Sequence, residues 1–244
     1  REAIIHKEFH LSSADPNLVE GEVRKLGHTN YDVADKISNM GMEAIHPKAA
    51  KTLRQADVAL RVTNAFEPDD PGTLIDDQPA EEPAVEIVTG LNVHALELFE
   101  QDMVGVKGYD AKILELLTRH GVRIVSKTSN ANTITHYVDA PLRSIRKVEA
   151  DLNDVYPNAE LTIQPLAIAA VIGRDLTGLN VLSGGLKALE ENEVSVLAAH
   201  QTPRAVDVQF VVSREALRAA IGALHARLLP PGNSAGIGPE KKAA

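Results

Sequence analysis

Short apolar stretches alternate with polar ones along this chain, and the period of the alternation changes from segment to segment. Tyr31 to Met40 carries apolar residues at helical spacing. Thr29 or Asn30 stands before it as a cap, Asp32 lies in its first turn, and Gly41 is placed to end it. His46-Pro47 predicts a second helix start, with proline where no N–H is needed. Ala59-Leu60-Arg61-Val62 predicts a short strand. Ser12-Ser13-Ala14-Asp15-Pro16-Asn17 predicts a turn, because the residue before proline avoids the helical region and Ser and Asp bond their own backbone. Helix, strand and turn in close succession indicate an α/β architecture.

Acidic residues and prolines then cluster without apolar periodicity in Asp76-Asp77-Gln78-Pro79-Ala80-Glu81-Glu82-Pro83, a linker signature. Beyond it the pattern repeats itself 72 residues later: Arg119 to Val138 matches Glu191 to Phe210. The first copy predicts a strand over Val93–Phe99, a helix striped by Ile113, Leu114, Leu116 and Leu117, strands at Val122–Val125 and Thr133–Val138, and a helix over Leu142–Leu152. The second copy predicts strands or helices at Leu166–Ile172, Leu182–Leu189, Val194–Leu197, Val206–Val212 and Ala216–Leu228. Two such units point to paired ferredoxin-like modules with helices on one face of each sheet. A second break, Pro230 to Gly236, precedes a small, polar, basic tail expected to be disordered.

Composition excludes several chemistries. With no cysteine there is no disulfide framework, Cys-based zinc site or iron–sulfur cluster. Against 34 acidic residues there are only 25 Lys and Arg, and the resulting charge of −9 argues against a nucleic-acid binder. No apolar run approaches the ~18–20 residues that span a bilayer, which leads to the expectation of a cytoplasmic protein without membrane contact. The chain opens with Arg1 and runs straight into an apolar-rich Glu2-Ala3-Ile4-Ile5-His6-Lys7, which reads as the middle of a strand and suggests a fragment of a longer chain.

Nine histidines are scattered. His6 and His10 are four apart on a strand-like segment, which is not the helical pair of a zinc protease, and His46, His94, His120, His136, His200 and His225 fall on different elements. The expectation is no metal site. Ser183-Gly184-Gly185 lacks the phosphate-loop pattern and sits within a helix, where close packing explains it. In the loop from Asp102 to Asp110, Gly105 and Gly108 open a helix and leave backbone N–H groups that could receive a carboxylate. The polar run Ser126 to Asn132 could hold an ammonium and a side chain. An ordinary turn accounts for the same spacing.

Four ordered segments carry a resemblance. Ser13-Ala14-Asp15-Pro16-Asn17, Asn39-Met40-Gly41-Met42-Glu43-Ala44-Ile45-His46-Pro47, Val62-Thr63-Asn64-Ala65-Phe66 and Pro71-Gly72-Thr73-Leu74-Ile75 resemble a TADPR-like turn, a GAKVLHP-like turn, an NTF-like strand end and a PGT motif of aspartate kinases. The downstream repeat resembles their tandem ACT regulatory domains. The wording of Arg1 to His10 and Asn130 to Tyr137 is most similar to the type associated with ectoine biosynthesis. The resemblance implies the rear part of an amino-acid-kinase α/β domain over 1–76, a linker at 77–84, βαββαβ ACT domains at 85–158 and 159–229, and a tail at 230–244. It implies ATP- and Mg2+-dependent phosphorylation of the L-aspartate side-chain carboxylate, and a homodimer formed through the ACT domains.

Residue by residue, the resemblance places a nucleotide edge at Ser13, Asp15, Pro16, Asn17 and Glu43. Asn17 stands where the family carries Arg, and Glu43 where it carries Lys. It places an amino-acid effector between the loop residues Met103, Gly105, Gly108 and Tyr109 and the strand residues Val125, Thr128 and Ser129. Val125 replaces an acidic residue of lysine-sensitive relatives, so another effector, or none, is expected. Catalytic residues are expected outside this chain, and the chain alone is expected not to turn over aspartate. A stand-alone ACT-type amino-acid-binding or dimerisation protein is the alternative.

Overall fold

A computed structural model describes residues 2–19, 22–42 and 45–229. Glu43 and the 230–244 tail therefore lie outside the described residues. Two compact units are present: residues up to Leu91 together with those from Ile168 onward, and Asn92–Ala167.

The first unit begins with a mixed sheet. Strands β1 (Glu2–Lys7), β2 (His28–Asn30), β3 (Ala59–Asn64) and β4 (Thr73–Asp76) lie in the order β1-β3-β4-β2. β1 runs parallel to β3, β3 antiparallel to β4, and β4 parallel to β2. Helices α1 (Tyr31–Asn39) and α2 (Pro47–Gln55) form where the pattern predicts them. Asn30 Oδ1 accepts the Val33 N–H at 3.0 Å, which makes Asn30 the cap, and Gly41 leaves the helix at φ +85°. Val33, Ala34 and Ile37 of α1 and Leu60, Val62 and Ile75 of the sheet are all buried in the apolar interior of this unit.

Two later strands are longer than their patterns suggest. β5 runs Ile87–Phe99 and β8 runs Glu160–Ile172, thirteen residues each. Gly90 interrupts the first alternation and Pro165 the second, and both residue types weaken a strand reading. The second unit contains Asn92–Phe99 of β5, α3 (Tyr109–Arg119), β6 (Arg123–Ser129), β7 (Thr133–Asp139), α4 (Leu142–Val155) and the first half of β8. Its strands lie in the order β6-β7-β5-β8, a complete βαββαβ sandwich. Leu96, Leu98, Ile113, Leu116, Leu117, Ile134, Val138, Ile145, Val148 and Leu152 form its core. Leu114, expected in that stripe, is exposed instead.

The other module belongs to the first unit. It follows the second half of β8 with α5 (Val181–Glu191), β9 (Ala198–Gln201), β10 (Asp207–Ser213) and α6 (Leu217–Leu228), in the order β9-β10-β8-β5. Its fourth strand is the start of β5: Glu86 N–H donates to the Ile172 carbonyl at 2.9 Å, and Gly90 lies against Ile168. A Cβ on Gly185 of α5 would stand 2.4 Å from the Phe210 ring, so the glycine permits close helix–sheet packing. The strand expected at Val194–Leu197 forms instead at Ala198–Gln201. Glu193 takes φ +57° and Val194 N–H donates back to the Leu189 carbonyl at 2.9 Å, so Val194 closes α5 rather than opening a strand.

Within the first unit a chain of polar contacts links the opening sheet to this module. Asp76 meets His28 at 2.9 Å, Arg174 Nη1 donates to His28 Nδ1 at 3.1 Å, Arg174 pairs with Glu86, and Thr29 Oγ1 donates to Glu86 at 2.6 Å. Glu86 is buried, and these partners satisfy a charge that would otherwise be costly there. No helix among the described residues is long and apolar enough to cross a membrane.

Candidate functional site

The sequence singles out two places, one in each unit. The first is the turn after β1. Asp15 Oδ1 accepts the Asn17 backbone N–H at 2.8 Å and its side-chain amide at 3.1 Å, which is the self-bonded turn that Asp-Pro-Asn encodes. Leu18 N–H closes the turn on the Asp15 carbonyl at 2.9 Å. Ser13 is fully buried and lies 2.9 Å from His225 Nε2 of α6, and it also accepts the Arg24 N–H at 3.1 Å. Burial first, and the Arg24 charge second, hold the His225 pKa below its usual value, so this imidazole is neutral at pH 7. The sequence scatters Ser13 and His225 over 212 positions, and only the fold joins them.

A cleft of about 630 Å3 opens beside this pair, lined by Leu18, Val19, Gly222, Ala223, His225 and Leu229 among others. A triphosphate needs several cations and free backbone N–H groups around it. In the described turn Asp15 is occupied by Asn17, Ser13 by His225, and the buried Arg24 reaches the Leu229 carbonyl at 3.4 Å. These residues do not form a phosphate cradle by themselves, and no phosphoryl-transfer step is derived from them.

The second place is the loop before α3. Gly105 adopts φ +78° and Gly108 φ +107°, and a Cβ at either would meet nothing within 4 Å. Both glycines are there for backbone conformation rather than for space. Gly108 caps α3 without a side-chain hydrogen bond, which leaves the first-turn N–H groups available to an anion. Met103 is buried, and Tyr109 stacks on Tyr156 with ring centroids 4.5 Å apart. Opposite stands β6, whose register shifts between Ile124 and Ser126, so that Val125 is the extra residue of a bulge. Thr128 is half-buried and bonds Tyr137, while Ser129 is exposed.

Three residues here were not among the effector positions assigned from the sequence. Asp110, in the first turn of α3, takes an ion pair from Lys127 of β6 at 2.7 Å. Beneath them His136 of β7 is fully buried, its Nε2 3.5 Å from Asp110 Oδ1, and neither ring nitrogen has a hydrogen-bond partner. Burial pushes its pKa down to about 4; Asp110 opposes the shift and Lys127 adds to it. The alternation Ile134-His136-Val138 was the available signal, since it turns His136 towards the same interior as its two apolar neighbours.

No family model matches the chain. The sequence is 51% identical to Aspartate kinase Ask_Ect of Stutzerimonas stutzeri (strain A1501) over 96% of this chain and 50% of that protein. It is 24% identical to Aspartokinase 3, chloroplastic, of Arabidopsis thaliana, over 87% of this chain and 39% of that protein. The fold resembles the crystal structure of Clostridium acetobutylicum aspartate kinase with a TM-score of 0.78 at 19% identity, covering 93% of this chain and 54% of the other. It resembles E. coli aspartokinase III in complex with lysine and aspartate with a TM-score of 0.73 at 18% identity, covering 93% and 50%. The regulatory subunit of aspartate kinase from Thermus flavus matches with a TM-score of 0.51 at 17% identity, over 59% of this chain and 98% of that one. The chain therefore spans about half the length of the curated relatives it matches first.

Proposed function

We propose that this chain, homologous to aspartate kinases over nearly its whole length, is the regulatory portion and adjoining kinase segment of an enzyme that phosphorylates L-aspartate to 4-phospho-L-aspartate with ATP and Mg2+. The observation that carries this reading is the 51% identity to an aspartate kinase along 96% of the chain. The Ask_Ect type of that relative supports a role in ectoine supply. In this reading residues 1–76 are the kinase segment and 77–84 a linker, and 85–158 and 159–229 are the two ACT modules.

The turn at Ser13, Asp15, Pro16 and Asn17, with Glu43, forms one edge of the nucleotide site; the phosphate-binding cations come from outside these residues. A solved E. coli neighbour is described in complex with aspartate and ADP, in keeping with ATP as donor. An amino-acid effector is placed against Met103, Gly105, Gly108, Tyr109, Val125, Thr128 and Ser129. The uncapped start of α3 supports a carboxylate there. Val125 gives no counter-charge to an ammonium side chain, which argues against lysine. Two copies pair through the ACT modules: β6 is a sheet edge, and Val104, Val106 and Ile124 are exposed apolar residues in the same module. The cytoplasm is the location this biosynthetic role calls for.

The reading is tested by trapping acyl phosphate. A longer protein that includes this sequence and the rest of the kinase domain is incubated with MgATP, hydroxylamine and L-aspartate, and aspartyl hydroxamate is measured. Formation with L-aspartate, and background with L-glutamate, is expected; equal background with both overturns the reading.

A further inference from the structure

Outside the two places described, one corner of the first unit concentrates groups of metal-binding type. His10 lies on the stretch after β1, and Glu67 and Asp70 lie on the loop between β3 and β4. The ligand atoms of the three residues all fall within 4.8 Å of one another. His10 Nε2 is 3.2 Å from Glu67 Oε2, and His10 Nδ1 is 3.7 Å from Asp70 Oδ1. The His10 side chain is only 3% exposed and forms the floor, whereas the Glu67 and Asp70 side chains are 47% and 26% exposed and form the rim. An ion could thus reach the carboxylates from solvent and meet the imidazole behind them.

The loop and the Asp70 carboxylate are held in place before any ion arrives. Asp70 N–H donates to the Glu67 carbonyl at 3.1 Å, and Gly72 N–H donates to Asp70 Oδ1 at 2.8 Å. Gly72 turns the loop at φ +69°, where a Cβ would stand 2.2 Å from the Val62 carbonyl oxygen. A rigid turn that presents two carboxylates to one point has already met much of the ordering cost of binding.

A cation already stands at that point. Lys25 Nζ lies 2.8 Å from Glu67 Oε2 and 3.0 Å from Asp70 Oδ2. An ammonium only donates hydrogen bonds and offers the imidazole no acceptor, and the buried His10 Nε2, although 3.2 Å from Glu67 Oε2, does not reach hydrogen-bond geometry there. Buried polar atoms are rarely left so. A metal ion would use the nitrogen lone pair and both carboxylates together, while Lys25, whose side chain is 17% exposed, swings towards water.

We propose that His10, Glu67 and Asp70 form a binding site for a divalent transition-metal ion of the Zn2+ class, with the Lys25 ammonium as the resident cation that the metal displaces. One imidazole and two carboxylates are a borderline donor set suited to Zn2+ or Co2+, and three protein ligands leave a position open to water. Sequence reading passes over this set because Glu67 and Asp70 lie 57 and 60 positions beyond His10.

The test is a titration of the 244-residue chain with Co2+, read by visible absorption, and with Zn2+, read by calorimetry. One equivalent is expected to bind saturably, with a Co2+ spectrum unlike that of the aqueous ion. His10→Ala and Asp70→Asn should each weaken binding by at least ~100-fold, the upper range for disturbing even the residues behind a metal's ligands. Lys25→Met should tighten it, because the competing charge is gone. Zn2+ should also raise the melting temperature of the native chain and leave that of Asp70→Asn unchanged. If His10→Ala does not fold, Asp70→Asn and Lys25→Met decide. Absence of saturable binding, binding retained in Asp70→Asn, or weaker binding in Lys25→Met overturns the proposal.

Discussion

Replacing His136 by leucine perturbs one buried group and should change how stability depends on pH. The imidazole is fully buried in the second unit, faced by Asp110 and Lys127, and its pKa is pushed down to about 4. In the unfolded chain it titrates near its ordinary value of ~6.5. Below that value the unfolded chain takes up a proton that the folded chain refuses until about pH 4. Stability is therefore complete above pH 6.5 and is lost as the pH falls through the window down to about 4. At ~1.36 kcal/mol per pKa unit, the loss between pH 7 and pH 5 is about 2 kcal/mol, approaching ~3 kcal/mol at still lower pH. His136→Leu removes this dependence. At pH 7 its effect should be small or favourable, because it replaces two unpartnered buried nitrogens by an apolar group of similar size. Urea denaturation at pH 5, 6 and 7 reads the difference through tyrosine fluorescence. Tyr109, Tyr137 and Tyr156 lie in the second unit, and the chain has only four tyrosines and no tryptophan. Curves for native chain and variant that remain parallel between pH 7 and pH 5 would refute the reasoning.

Two glycine substitutions should act in opposite directions. Gly185→Ala puts a Cβ 2.4 Å from the Phe210 ring and should cost ~1–3 kcal/mol in urea melts. Gly222→Ala, inside α6 with nothing within 4 Å of the new Cβ, should stabilise by ~0.5–1 kcal/mol in the same melts. Asn30→Ala removes the cap of α1 and should cost ~1 kcal/mol, with Asn30→Asp recovering most of it. Sedimentation of the chain at tens of micromolar should show a dimer, and Ile124→Lys or Val106→Glu should shift it towards monomer.

Much of the fold was legible because local signals and tertiary packing agree. Asn30, Pro47, Gly41 and Gly108 mark helix ends by local chemistry alone, and the helices begin or end beside them. What was not legible depends on partners far along the chain. The lengths of β5 and β8 follow from pairing on both sides of Gly90 and Pro165, which no local alternation reports. Val194 carries a strand-like pattern, yet it closes a helix because Glu193 takes a left-handed backbone. The glycine loop before α3 could be read as a possible carboxylate site, since two glycines ahead of a helix expose N–H groups in any context. The Ser13–His225 pair and the His10, Glu67 and Asp70 corner could not, because each joins residues from separate elements. Asp110 and Lys127 look like ordinary surface charges in sequence; only the bury of His136 beneath them gives the pair its setting.

The most direct measurement of the central claim is ADP release with L-aspartate and MgATP, made side by side on the 244-residue chain and on a longer product of the same gene that includes it. The account expects aspartate-dependent release from the longer protein and none above background from the chain alone, in which Ser13, Asp15, Asn17 and Arg24 form no phosphate cradle by themselves. Aspartate-dependent turnover by the chain alone, or none by the longer protein, would contradict it.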